Sequence, residues 1–485
     1  MIKRLLCVVG AAAVFFGQVP LLHADQMGDM MSMLENMKQQ MTQMQSTINQ
    51  QSVKIQQLES KKVIETPQPA VAMAAPAQLS DADWQKGIKD NIGDVIPWLK
   101  GAKIGGDFRM RWESFDYDKI HDPMETGSLD RTQNRFRIRL RWGFEKQLTE
   151  EWTTGFRLAT GDVTDVTSTN TTLTNNFAMK NILVDRAFAK YTPNSLKDYG
   201  MLKGLTVGVG KFENPFLRYS TTIMWDADVV PEGAYEQANI QWYSDEMNQV
   251  NSVLTAGQFI TAEGTAQNAD TEIYGAQGSL TWSTYMFNSD LPVDVTTAIS
   301  YYDYPGYGYT TGNNTLAAPA GSFLNTNTYA LDAPRVIDSY NELGFYVDRT
   351  PVALWYDWAH NCNDVSQRVL ATNSVHDDVD AWGLGIKAGK IKKKGDIEGF
   401  YGYYVVGANA VVSAFNDSDF GGPSGKGFSN RRGHKFGLAY SLAKDVTLNW
   451  TAYMVEPNIV VPTSIAKWAS DESVFRSQLD INYKF

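Results

Sequence analysis

The hydrophobic residues of this chain recur in two different periods. Between Met27 and Leu58 they fall at Met27, Met30, Leu34, Met37, Met41, Met44, Ile48, Gln51, Ile55 and Leu58, in alternating steps of three and four. That 3.5-residue period keeps one helix seam facing a partner helix, so residues 25–60 are predicted to form a coiled coil. Gln51 is the polar exception in the seam and would fix register at a cost in stability. From about residue 102 the period becomes two. Ile104, Gly106, Phe108, Met110 and Trp112 alternate with Gly105, Asp107, Arg109, Arg111 and Glu113. Phe136, Ile138, Leu140, Trp142 and Phe144 alternate with Arg135, Arg137, Arg139 and Arg141. A row of four arginines cannot enter a protein core, and the opposite face is too apolar for water. Strands standing between hydrocarbon and an aqueous interior satisfy both. A soluble antiparallel sheet with one solvated face is the alternative for any single strand of this kind.

Segments of period two are read at 104–117, 132–147, 151–162, 181–192, 203–212, 231–243, 250–262, 270–282, 291–303, 338–348, 351–360, 379–390, 395–408, 432–442, 446–455 and 474–485. Each supplies the ~9–11 residues that a tilted membrane strand needs. Sixteen is an even number, as a closed single-chain barrel requires, with eighteen as the alternative count. Links after the second, tenth, twelfth and fourteenth segments are tight, such as Leu148-Thr149-Glu150, Arg349-Thr350 and Ala443-Lys444-Asp445. Links after the third, ninth, eleventh, thirteenth and fifteenth are long and polar, for example 304–337 and 409–431. Short turns in phase with long loops form the membrane-barrel pattern. The links after the fourth, seventh and eighth segments fit it less well. The last segment alternates Leu479, Ile481, Tyr483 and Phe485 with Gln478, Asp480, Asn482 and Lys484, and pairing it with the first would remove both sheet edges. Trp112, Trp152, Trp242, Trp355, Trp358, Trp450 and Tyr453 lie near segment ends and suit two interfacial girdles.

The N-terminus bears on the compartment. Lys3 and Arg4 precede an apolar run from Leu5 to Phe16, and Leu22-His23-Ala24 ends in a small residue, which predicts an export signal over residues 1–24. Removing it leaves 41 basic and 54 acidic residues and one cysteine, Cys362, so no internal disulfide can form. No basic run marks a nucleic-acid partner. Residues 61–101 hold Pro67, Pro69 and Pro76 among small residues, then a short helical stretch with Trp84 and Trp98, and read as a linker. The expected fold class is an all-β transmembrane barrel of residues 102–485, preceded by a periplasmic α-helical coiled coil. The expected location is a bacterial outer membrane, with outer-membrane lipid around the barrel.

Several motifs run in order along the barrel: Gly106-Asp107-Phe108-Arg109-Met110-Arg111, Asn134-Arg135-Phe136-Arg137-Ile138-Arg139-Leu140-Arg141, and Gly155-Phe156-Arg157-Leu158-Ala159-Thr160-Gly161. They continue with Gly210-Lys211-Phe212-Glu213-Asn214-Pro215-Phe216, Trp225-Asp226-Ala227-Asp228 with Pro231-Glu232-Gly233, and Asp417-Ser418-Asp419-Phe420-Gly421. In these, residues 104–485 resemble the putative porins of several Gram-negative lineages, related in plan to the phosphate-selective and general diffusion porins. The resemblance implies a sixteen- or eighteen-stranded homotrimeric barrel that passes small hydrophilic solutes or ions and needs no cofactor.

On that reading Arg109, Arg111, Arg135, Arg137, Arg139, Arg141 and Arg157 line one positive pore wall, which suggests a preference for anions. The loop at about 213–230 offers Asp226 and Asp228, with Lys211 and Glu232 at its ends, as a constriction. An acidic loop facing a basic wall would set a transverse field that tunes ion selectivity. Alternatively the two aspartates only neutralise a crowded wall. Asn416, Asp417 and Asp419 could hold a divalent cation or, as the plainer alternative, order their own loop. Nothing points to catalysis. Five histidines are scattered without HExxH spacing, no GxSxG occurs, and Gly421-Gly422-Pro423-Ser424-Gly425-Lys426-Gly427 lacks the first glycine spacing and the Ser/Thr of a phosphate loop. The second functional reading is a tethering outer-membrane protein with a plugged lumen, its coiled coil reaching toward the cell wall or clamping protomers.

Overall fold

The computed structural model describes residues 101–121, 128–174, 176–217, 220–262, 271–286, 290–305, 333–363, 378–421, 429–458 and 473–485. The predicted signal, coiled coil and linker lie outside the described residues. The strands are β1 (Lys103–His121), β2 (Ser128–Gln147), β3 (Trp152–Thr160), β4 (Thr171–Thr172), β5 (Ile182–Tyr191), β6 (Leu202–Lys211), β7 (Glu232–Ser244), β8 (Asn248–Ala262) and β9 (Thr271–Thr284). They continue as β10 (Val293–Asp303), β11 (Arg335–Val347), β12 (Thr350–Asn361), β13 (Asp380–Gly389), β14 (Ile397–Val406), β15 (Arg431–Ala443), β16 (Val446–Pro457) and β17 (Ser473–Lys484). The two-residue β4 extends the sheet beside Arg137 and Ile138 of β2, and β3 pairs with β5. Every other strand pairs antiparallel with its neighbours in sequence, and β17 returns to β1 with Leu479 opposite Trp112. The result is a closed barrel of 16 strands without a free edge. All the predicted segments are strands of its wall, and the count of eighteen is not met among the described residues.

Connection length follows the expected phase around the ring. Residues 148–151, 192–201, 245–247, 285–292, 348–349, 390–396 and 444–445 join strands at the rim where β1 begins. The connections at the opposite rim include 161–181, 212–231, 304–334, 362–379 and 407–430. The links after the fourth, seventh and eighth wall strands keep this phase, although their lengths differ little from one another. The short turns are built on aspartates. Asp348 and Asp445 take left-handed backbone, with φ of 54° and 64°. Asp245 accepts the Tyr243 hydroxyl at 2.5 Å and the backbone N–H groups of Met247 and Asn248 at 2.8 and 2.6 Å. These bonds, the Tyr243 hydroxyl first, hold its carboxyl below the ordinary carboxylate value.

Period two becomes two environments. Phe108, Met110, Trp112, Phe136, Leu140, Trp142, Leu254, Ile299, Leu354, Leu384, Leu438 and Ile481 point outward and are exposed. Such an apolar belt is stable against lipid rather than water. Trp112, Trp152, Trp242 and Trp450 also lie on this surface, but Trp355 and Tyr453 are buried on the lumen side. Trp355 and Trp358 differ by three positions, so strand alternation sends them to opposite faces. Trp355 stacks on Tyr404 at 5.3 Å and lies over Gly385, whose absent Cβ would fall 2.5 Å from its ring.

The buried apolar core lies inside the barrel. Phe212, Phe216, Ile223, Met224, Trp225 and Val229 of the 212–231 connection pack with Val411, Val412 and Phe415 of 407–430 and with inward-facing Phe259, Ile273 and Tyr302 of the wall. Both connections therefore fold into the lumen. They bond each other: Asp226 N donates to Phe415 O at 2.6 Å, and Trp225 stacks on Phe415 at 5.3 Å. The 161–170 segment joins them, since Thr169 Oγ1 reaches Asp228 Oδ2 at 3.4 Å.

Candidate channel lumen

β1, β2 and β17 lie side by side and turn a charged face inward. The register sets Arg111 opposite Arg137 on one side and Asp480 on the other, and Glu113 between Arg135 and Gln478. Rows of arginines at this spacing repel, so the face is stable only with acceptors interleaved. The wall supplies some of them. Arg111 Nε and Nη2 bind Asp480 at 2.7 and 2.8 Å, a bidentate pair. Arg139 and Arg141 share Asp107, at 3.0 and 2.7 Å from their Nε atoms. Arg135 and Arg157 pair with Glu113 and Asp185.

The inward connections supply the rest. Asp419 takes Arg111 Nη1 at 3.0 Å and Arg476 Nη2 at 2.6 Å. Asp228 takes Arg141 at 3.3 Å and lies 3.9 Å from Arg139. Arg109 binds Asn170 Oδ1 at 2.6 Å, and Arg137 binds Ser168 Oγ and Asn170 O at 3.3 and 3.2 Å. Phe115 is enclosed between two guanidinium groups, with Arg476 at 4.6 Å and Arg135 at 4.8 Å from its ring centre. Across this cluster eight arginines (Arg109, Arg111, Arg135, Arg137, Arg139, Arg141, Arg157, Arg476) meet six carboxylates (Asp107, Glu113, Asp185, Asp228, Asp419, Asp480). This cluster is basic by two charges.

A family profile described as putative porin matches residues 114–330 and 346–485. The chain belongs to the putative porin family. Among solved structures this porin is similar to OprB of Pseudomonas putida at high pH: 12% identity, 83% of this chain and 97% of that one covered, TM-score 0.47. It is also similar to OmpF of Salmonella typhi in complex with daunomycin, at 12% identity, with 79% and 98% covered and a TM-score of 0.41. No curated protein matches it. Family membership makes the barrel an outer-membrane channel protein.

All seven arginines singled out from the sequence of this porin face inward, as alternation requires. Arg111 and Arg137, however, are buried beneath the inward connections and belong to the packing of those segments. Asp228 faces the arginines, whereas Asp226 turns away: its carboxylate accepts Asp228 N at 2.8 Å and Ser418 N at 3.3 Å. Lys211 and Glu232 line the same cavity as Asp228. They pair with each other at 2.6 Å at the neck of the loop, where β6 and β7 are in register. The cation suggested at Asp417 and Asp419 meets a different arrangement, because Asp417 takes Lys435 Nζ at 2.7 Å and Asp419 takes two arginines. A carboxylate already neutralised by a basic side chain is a poor cation ligand. Among the described residues no group of three His, Cys, Asp or Glu side chains could hold a metal.

The sequence reading did not single out Glu113, Arg476 and Asp480 as parts of this cluster. Their signal was strand parity alone: Arg476, Gln478 and Asp480 alternate with the apolar Phe475, Leu479 and Ile481. Asn170 and Ser168 carried no signal, since a loop's fold into a lumen leaves no periodic trace.

Proposed function

We propose that this porin is a passive diffusion channel for small hydrophilic solutes and ions with a weak preference for anions. The observation that carries the reading is the two-sided wall. Its outer belt is apolar and exposed, while one sector of its interior holds a cluster of eight arginines and six carboxylates, and toward the short-turn rim Lys103 and Arg186 pair with Glu145 and Glu213 beside Lys190. A net excess of two charges, each held in place by a hydrogen-bonded neighbour, favours anions only modestly, because most of the field is cancelled locally. The inward connections narrow the lumen and set the size of solute admitted. In this reading the short-turn rim is periplasmic, the barrel is a trimer, and the coiled coil of residues 25–60 lies on the periplasmic side, joining protomers or reaching the cell wall.

Swelling of liposomes that contain the purified protein, in solutions of sugars of graded size, tests the channel. Fast swelling with monosaccharides that slows for larger sugars is expected. Swelling no faster than in empty liposomes for every sugar would instead favour the plugged, tethering barrel.

A further inference from the structure

The inward 212–231 connection is held from the wall at several points, and two of them are joined by one polar chain. Leu217 N donates to Gln277 Oε1 of β9 at 2.9 Å, and Ser220 N donates to Asp357 Oδ2 of β12 at 2.8 Å. An unbroken polar chain runs between these anchors. Gln277 Nε2 donates to Ser300 Oγ of β10 at 3.0 Å, and Ser300 Oγ donates to Asp338 Oδ2 of β11 at 3.3 Å. The carboxyl groups of Asp338 and Asp357 are in turn hydrogen-bonded to each other. These four side chains come from four successive strands, and none is more than 4% exposed.

The bonds of the chain have one mutually consistent set of directions. Ser300 has one hydroxyl proton, and giving it to Asp338 leaves the oxygen to accept from Gln277. Gln277 must then present its NH2 to Ser300 and its carbonyl oxygen to Leu217 N. At the other end, two carboxyl groups can share a hydrogen bond only through a proton held between them. The other titratable groups facing the pair are Tyr302 of β10 and Tyr404 of β14. Removing a middle link therefore leaves a buried donor or acceptor unmatched at both ends, where the loop is held.

We propose that Ser300 and Asp338, which make no hydrogen bond to the loop themselves, are positioning residues of the conduction path. They orient Gln277 and Asp357 and so hold the 212–231 segment against strands β9 to β12. The inference rests on the channel reading, and wild-type conduction serves as its separate control.

The test is single-channel recording of the full chain in planar bilayers, comparing wild type with Asp338→Leu, Asp338→Asn and Ser300→Ala. Asparagine can still accept from Ser300 and donate to Asp357, whereas leucine can do neither. Asp338→Leu and Ser300→Ala are expected to raise open-channel current noise several-fold and to add frequent partial closures, while Asp338→Asn stays close to wild type. A quiet Asp338→Leu channel, or an Asp338→Asn channel as noisy as the leucine variant, would overturn the proposal. If Asp338→Leu does not reach the folded, heat-modifiable form on gels, Ser300→Ala decides by the same readout. A wild-type protein that does not conduct would instead remove the channel reading itself.

Discussion

Arg476 is the most enclosed arginine of this cluster, at 1% exposure, and it neutralises two carboxylates at once. Its Nε donates to Glu113 Oε1 at 2.8 Å, and its guanidinium lies over Phe115. Replacing it by leucine would leave Glu113 with Arg135 and Asp419 with Arg111, each short of a partner in a site with little water. Losing hydrogen bonds to buried charged groups that each keep another partner costs about 1.5–3 kcal/mol. Urea unfolding of Arg476→Leu in detergent micelles should show a loss of that order, and a loss below about 1 kcal/mol would mean that water screens the cluster far better than its burial suggests. A single arginine in the last strand did not draw notice beside the row from Arg135 to Arg141 in β2. Its partners lie far away in sequence: Arg476 and Glu113 are 363 positions apart. Alternation says which face a residue takes, and it is silent about which residue stands across a closed ring.

Elements were legible where period two continued long enough to be counted, and the wall strands were found for that reason. Of the inward connections only the loop at about 213–230 was singled out as a constriction, from its acidic residues, because a segment that enters the lumen meets water, wall and other loops in irregular order. Phe212, Phe216 and Trp225 entered the sequence analysis only as parts of motifs, and they belong to the buried core. The neck of the 212–231 connection shows how the chain leaves the wall. Gly210 and Gly233 face each other across the β6–β7 ladder, with φ of 108° and 142°. A Cβ at Gly210 would stand 2.4 Å from Ala187 O of β5. Only glycine takes that backbone without strain. Gly210→Val should therefore reduce the yield of folded, heat-modifiable barrel strongly. A variant that folds and conducts like wild type would show that the inward path is not fixed at this neck.

On the scale of the whole molecule, the alternation in residues 104–485 corresponds to a ring closed between β17 and β1, and the family match covers most of that ring. The coiled coil is a separate expectation on residues outside those described. If it clamps the protomers, deleting residues 25–60 should convert trimers to monomers in native mass measurements, and unchanged trimers would leave it a tether. The charge balance was only partly legible: the arginines of β1 and β2 predicted a positive wall, and of the acids that neutralise it Asp228 was singled out beforehand, whereas Glu113, Asp419 and Asp480 were not matched to it. The most direct test of the account is a single-channel recording in a potassium chloride gradient. A stable ohmic conductance whose reversal potential lies slightly to the chloride side is the expected result. A membrane that stays insulating with folded protein inserted, or a current carried almost wholly by potassium, would contradict an open, weakly basic lumen.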